Sequence, residues 1–184
     1  LQGLRRRPDV SGPPARLCAE EQQRILRERI LPAFALDTVQ AHPSPVAVLL
    51  VASAGAPTGR LSYAARTVLG EHAVRVELDE LFLFHPRVAE FRCRNPLTWK
   101  QRIRADALAW CEQVISAVMQ RRSHLVVDTL SETGTWANTA LVEALQASQY
   151  KVELLVHGGA GETACEPAVQ ALQWRTGVTV RVLP

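Results

Sequence analysis

The sequence predicts a three-layer α/β domain in which a central, mostly parallel five-stranded sheet lies between helices. Three observations lead there. Five apolar runs, at Val46 to Ala52, Ala73 to Leu78, Leu125 to Thr129, Val152 to His157 and Val178 to Leu183, alternate with segments of helical periodicity. No tight hairpin signal joins neighbouring runs, so each must return through a crossover, as parallel strands require. The 184 residues, 47% of them hydrophobic, supply one sizeable core and are too few for two domains of ordinary size.

Residues 1 to 18 read as a flexible leader, because RRRP, SG and PP are polar and broken by proline, and residues 19 to 184 read as the domain. From Ala19 to Phe34, Ile25, Leu26, Ile30 and Phe34 recur at helical spacing behind acids that suit the positive helix start. After HPSP, Val46 to Ala52 is continuously apolar, the mark of a strand buried on both faces. Helices then follow from about Arg60 to Leu69, Trp99 to Gln120, Ala137 to Ser148 and Pro167 to Arg175. The longest carries Ile103, Ala107, Cys111, Val114, Ile115 and Val118 on one face.

Composition excludes several functions. The net charge is +3, and the evident basic groupings are Arg5 to Arg7 and the pair Arg121 and Arg122, so nucleic-acid binding is not expected. Cys18, Cys93, Cys111 and Cys165 are widely spaced and lack neighbouring histidines, which argues against zinc, against any other metal site and against a disulfide framework. No apolar run approaches the roughly 20 residues needed to span a bilayer, and no signal-peptide core is evident, so a cytoplasmic protein without membrane contact is expected. A start at Leu1 is what a fragment or a processed product would show.

The stretch PVAVLLVASAGAPTGRLS, Pro45 to Ser62, runs from an apolar strand through a small-residue loop into a helix. That is the plan of a phosphate-binding loop, G-x-x-x-x-G-K-[ST], whose amides surround phosphate while the lysine neutralises it and the hydroxyl ligates Mg²⁺. Here the template positions hold Ala54, Gly59, Arg60 and Leu61. Gly55, Pro57, Thr58, Gly59, Arg60 and Ser62 form the candidate nucleotide-binding set. Arg60 keeps the charge on a longer planar fork, Leu61 removes the metal-binding oxygen, and Ser62 points about 100° further around the helix. In parallel sheets ligands sit at the carboxyl ends of strands, where this loop, Asp79, Asp128 and the loop from His157 to Gly161 would converge.

A second motif completes the pattern. VELDELFLFHP (Val76 to Pro86), then VVDT, then QASQYKVELLV, following the first helix and the altered loop, resembles the zeta toxin family in order and spacing across about Ala19 to Val156. The resemblance implies a P-loop-kinase-like fold in which the loop-bearing strand is central, flanked by the runs at Ala73 and Leu125. It also implies ATP- or GTP-dependent phosphorylation, with Mg²⁺, of a sugar hydroxyl on a nucleotide such as UDP-N-acetylglucosamine, and an antitoxin-like protein partner. Asp79 then matches the base that takes the hydroxyl proton, with Glu80, His85 and Asp128 on the substrate side.

Each of these residues has a plainer reading: Asp79 as a helix N-cap, His85 with Pro86 as a turn fixture, Asp128 as a loop cap. The glycines Gly158, Gly159 and Gly161 read either as an anion-binding turn or as an ordinary one. Two departures accompany the altered loop. No cation follows Asp128 in TLSETG, and HGGAGETACEP is not an arginine-bearing lid, leaving Arg175 as the late cation or as a solvated helix end. Two functions therefore stand: a sugar-nucleotide kinase with weakened or lost transfer, and a non-catalytic module, possessing no cofactor, that binds a nucleotide or a protein.

Overall fold

The structure is a computed structural model that describes residues 16–51, 59–70, 72–128, 130–157 and 166–183, with the backbone alone described at 60, 130–138 and 166–168. Its five strands, β1 (Val46–Val51), β2 (Val74–Glu77), β3 (Leu125–Asp128), β4 (Lys151–His157) and β5 (Thr179–Leu183), form one parallel sheet in the order β2-β3-β1-β4-β5. The predicted class and the five strands are found. One neighbour differs, because β1 pairs with β3 and β4, while the strand expected beside it at Ala73 lies beyond β3 at the sheet edge. The cause is legible: Val74 and Val76 alternate with the half-exposed Arg75 and Glu77, an edge pattern, whereas Leu125 to Val127 is buried throughout.

Helix α1 (Ala19–Ile25) continues through a π-helical turn (Leu26–Ile30) into α2 (Leu31–Ala33). Pro32 explains the turn, since a proline inside a helix lacks the amide for the carbonyl four residues back and its ring crowds that carbonyl. The Leu31 amide accordingly reaches Leu26. Further along are α3 (Gly59–Leu69), α4 (Leu78–Phe82), α5 (Val88–Arg94), α6 (Trp99–Gln120), α7 (Leu130–Ala147) and α8 (Glu166–Thr176). Leu78, expected to close β2, instead opens α4, because Leu78, Leu81 and Phe82 are buried at helical spacing behind the acids Asp79 and Glu80. Helix α7 starts seven residues before the expected Ala137, through a Ser, Thr and Gly stretch that reads as a loop.

The two faces of the sheet are unequal. One packs the apolar residues of α1, α4, α6, α7 and α8 around a large core that includes Leu49, Val127, Trp110 and Leu154. The other packs Leu61 and Ala65 of α3 on Val48, Leu50, Val126 and Leu155. No described helix is long and apolar enough to cross a membrane.

At the amino end of the sheet, the rings of His42 and His124 stack at 3.7 Å, and His124 Nδ1 accepts the Val46 amide at 3.0 Å. Burial first, and His42 second, hold the His124 pKa below the ordinary histidine value. The fold therefore prefers neutral His124, and its contribution is complete above the unfolded pKa of about 6.5 and lost as pH falls toward the folded value. The urea midpoint should decline between about pH 7 and 5, less steeply in His42→Phe, which keeps a ring on the stack but removes its charge. A midpoint that is flat over this range would contradict the assignment.

Candidate functional site

Because β2 passes into α4 without a loop, Asp79 is the second residue of a helix that starts at a strand's carboxyl end. Its side chain is 62% exposed. Glu77 occupies the N-cap position without a side-chain capping bond, so Asp79 is not the helix cap of its plainer reading. Instead, Lys100 Nζ donates to Asp79 Oδ1 at 2.7 Å and to Oδ2 at 2.8 Å. The ammonium lies 5.7 Å from the centre of the Phe82 ring and 6.0 Å from that of Trp99, which is also met by the Arg92 guanidinium at 5.5 Å. Sequence reasoning missed Lys100. Its signal was a cation in the first turn of α6, a turn without acids, where the helix dipole disfavours positive charge.

On the α3 side, Arg75 organises the end of the sheet. Its guanidinium pairs with Glu77, lies 3.9 Å from Asp128 Oδ2 and donates to Ser62 Oγ at 2.8 Å. Glu77 and Asp128 face each other in register at the ends of β2 and β3. Burial, reinforced by Glu80 and Asp128, pushes the Glu77 carboxyl upward, and Arg75 opposes the shift. Neither Arg75 nor Glu77 was singled out by sequence, although their alternation in β2 marks both as facing away from the main core. Two cavities flank this strand. One of about 290 Å³ is lined by Ser62, Arg66, Arg75 and Val126, and another of about 380 Å³ by Phe34, His72, Arg75, Glu80 and Phe84. Glu80 thus faces a cavity, while neither cavity reaches Asp79.

His85 is placed inside the protein rather than on a substrate-facing surface. Its Nδ1 accepts the Arg87 amide at 3.2 Å, which puts the ring proton on Nε2, and Nε2 lies 3.5 Å from Asp106 Oδ2. Asp106 is 1% exposed, accepts the Leu17 amide at 3.1 Å and the Gln22 side-chain amide at 3.3 Å. Trp110 Nε1 donates to the Gln22 carbonyl at 3.0 Å. His85 therefore ties the segment after α4 to α6 and α1, the fixture role of its plainer reading, and Leu17 packs against the main core.

Of the phosphate-loop set, Gly55, Pro57 and Thr58 lie outside the described residues. Gly59 opens α3 with open space around it, and Arg60 is helical in backbone. Leu61, at the hydroxyl position of the template, is 0% exposed within the α3 core. The Ser62 oxygen is held by Arg75. Among the described residues no three His, Cys, Asp or Glu side chains gather as a metal site. Burial pushes the Cys111 thiol up to about 12, so it is not a reactive thiolate at neutral pH. Arg175 sits in the last turn of α8, 3.3 Å from Glu143 of α7.

The comparisons bear on the whole arrangement. A search of curated proteins finds no match. Among solved structures, a chain from the PezAT chromosomal toxin-antitoxin system of the human pathogen Streptococcus pneumoniae superposes with a TM-score of 0.77 at 13% identity, covering 91% of this chain and 77% of that one. At that identity the likeness concerns the fold. The family model of zeta toxins matches residues 33–178, most of the length, with β1, the Asp79 helix and the ends of β2 and β3 inside the match. The chain belongs to the zeta toxin family.

Proposed function

We propose that this domain, residues 19 to 184 behind a leader of residues 1 to 18, derives from kinases that phosphorylate a sugar nucleotide of the UDP-N-acetylglucosamine class, and that its phosphotransfer is weakened. One observation carries the reading: Asp79 is presented in the open, just past a strand's carboxyl end. In the proposed reaction the sugar hydroxyl oxygen bonds to the terminal phosphorus of ATP or GTP, the bond from that phosphorus to the bridging oxygen breaks, and the nucleoside diphosphate leaves with the electron pair. Asp79 takes the hydroxyl proton. Glu80 and Asp128 would face the acceptor, and the amides and Arg60 of the loop the donor.

The Mg²⁺ that the family implies does not fit the groups found among the described residues. Leu61 offers no oxygen and is buried, the Ser62 hydroxyl is engaged by Arg75, and Asp128 and Glu77 lie beside the same guanidinium. No step is assigned to the metal. That mismatch also supports the second reading, a non-catalytic nucleotide- or protein-binding module, for which the toxin-antitoxin origin of the structural neighbour suggests an antitoxin-like partner. A cytoplasmic site of action goes with either reading.

The test is transfer of labelled γ-phosphate from ATP to UDP-N-acetylglucosamine. Slow turnover is expected, lowered a further ~10²-fold or more in Asp79→Asn without loss of ligand affinity, because a base acts in the chemistry rather than in ground-state binding. Equal losses of affinity and turnover would make Asp79 structural, and no transfer at all by the unmodified chain would select the binding module.

A further inference from the structure

An aspartate whose two oxygens both accept hydrogen bonds from one ammonium is poorly placed to take a proton from an alcohol. At 2.7 and 2.8 Å, the Lys100 contacts are short, charge-assisted bonds that occupy both oxygens of Asp79. For Asp79 to act as a base, Lys100 must move. The surroundings favour that movement: the pair is solvent-accessible, with the lysine side chain 37% exposed, and exposed ion pairs contribute little net stability. The ammonium also has aromatic surface from Phe82 and Trp99 beside it, and it lies in the acid-free first turn of the long α6, where the local field already favours an anion.

The choice of residue points the same way. Lys100 and Lys151 are the only lysines in this sequence, against 21 Lys and Arg together. An arginine here could grip the carboxylate through two parallel N–H bonds, whereas lysine is a point charge on a flexible stem that can exchange one oxygen partner for another. A phosphate group, carrying more charge than a carboxylate, is the partner it would exchange for.

We infer that Lys100 is a phosphate-operated latch on Asp79: at rest its ammonium blocks the carboxylate, and when a phosphate-bearing ligand enters, the ammonium transfers to phosphate oxygens and leaves Asp79 open to the substrate hydroxyl. This rests on the reading of Asp79 as the base and adds a ligand-binding and positioning role for a residue outside the family's altered loop. The latch also supplies a cation on the α6 side of the site, where the stretch after Asp128 supplies none.

Isothermal titration of the whole chain with pyrophosphate, ATP and UDP-N-acetylglucosamine tests it in four forms: unmodified, Lys100→Met, Lys100→Arg and Asp79→Asn. Lys100→Met is expected to weaken at least one of the three ligands on the order of tenfold, while its thermal midpoint stays within about 2 °C. Should Lys100→Met melt earlier, Lys100→Gln takes its place with the same expectation. Asp79→Asn should bind that same ligand several-fold more tightly, since the competing carboxylate charge is gone. Lys100→Arg should keep the fold and recover only part of the affinity, because its fork holds the carboxylate more firmly. An effect confined to ATP assigns the captured phosphate to the donor, and one confined to UDP-N-acetylglucosamine assigns it to the acceptor.

Unchanged affinities in Lys100→Met, no gain in Asp79→Asn, or an unmodified chain that binds none of the three up to about 10 mM would each overturn the latch. These are binding readouts. Failure of Asp79 as the base would show instead in turnover, so the two ideas can fail separately.

Discussion

Leu61→Thr should destabilise the domain by about 2 to 4 kcal/mol, lowering the thermal midpoint by roughly 5 to 15 °C, because it removes a fully buried aliphatic side chain and leaves a hydroxyl in its place. Leu61 is 0% exposed and packs with Val48, Leu50, Ala65, Val126 and Leu155, the small core that α3 forms on its face of the sheet. The consequence for function is direct. Rebuilding the loop as Ala54→Gly, Arg60→Lys and Leu61→Thr is meant to restore the phosphate cradle and the metal oxygen, but the third change takes a residue out of that core. Recovery of Mg²⁺-dependent nucleotide binding is therefore expected only where the rebuilt chain is still folded, which circular dichroism at the assay temperature decides. A Leu61→Thr chain as stable as the original would show that position 61 is free to serve a ligand.

Asp106→Ala should cost about 3 to 5 kcal/mol, since it strips the acceptor from a buried network rather than replacing the network as a whole. The Leu17 amide and the Gln22 side chain lose their partner, and His85 Nε2 loses the carboxylate 3.5 Å away. The expected result is a lower urea midpoint together with faster proteolysis near α1, as this network is a buried polar link between α1 and α6, beside the exposed Gln23–Gln113 bond. Asp106→Asn, which keeps one carbonyl acceptor, should cost less than half as much. If Asp106→Ala is neutral, or if it leaves proteolysis of α1 unchanged, the network is not what docks that helix.

Much of the fold was legible because five short apolar runs alternate with segments of helical periodicity. Helix α6 appears over the residues expected, Trp99 to Gln120. What was not legible depended on packing across the sheet. The place of β2 at the edge lay in the alternation of Val74, Arg75, Val76 and Glu77, and it was overlooked because a short apolar run reads alike in the middle and at the rim. The early start of α7 was hidden by Ser, Thr and Gly, which favour loops locally and yield to tertiary context.

At the candidate site, Asp79 and Asp128 could be read from their positions after strands. Lys100 could not, because it comes from a helix 21 residues further along and meets Asp79 only through the packing of α4 on α6. His85 was placed on the substrate side by the resemblance, but its burial against Asp106 gives it an architectural task. The burial of Leu61 likewise depends on which face α3 turns to the sheet, which the loop template does not specify.

The most direct measurement of the central claim is calorimetric titration of the unmodified chain with ATP, with and without Mg²⁺, coupled to phosphate transfer onto UDP-N-acetylglucosamine. With Leu61 in the core and Ser62 held by Arg75, weak ATP binding, a change of less than about threefold on adding Mg²⁺, and slow but detectable transfer are expected. Tight ATP binding that depends on Mg²⁺, accompanied by rapid transfer, would contradict the claim.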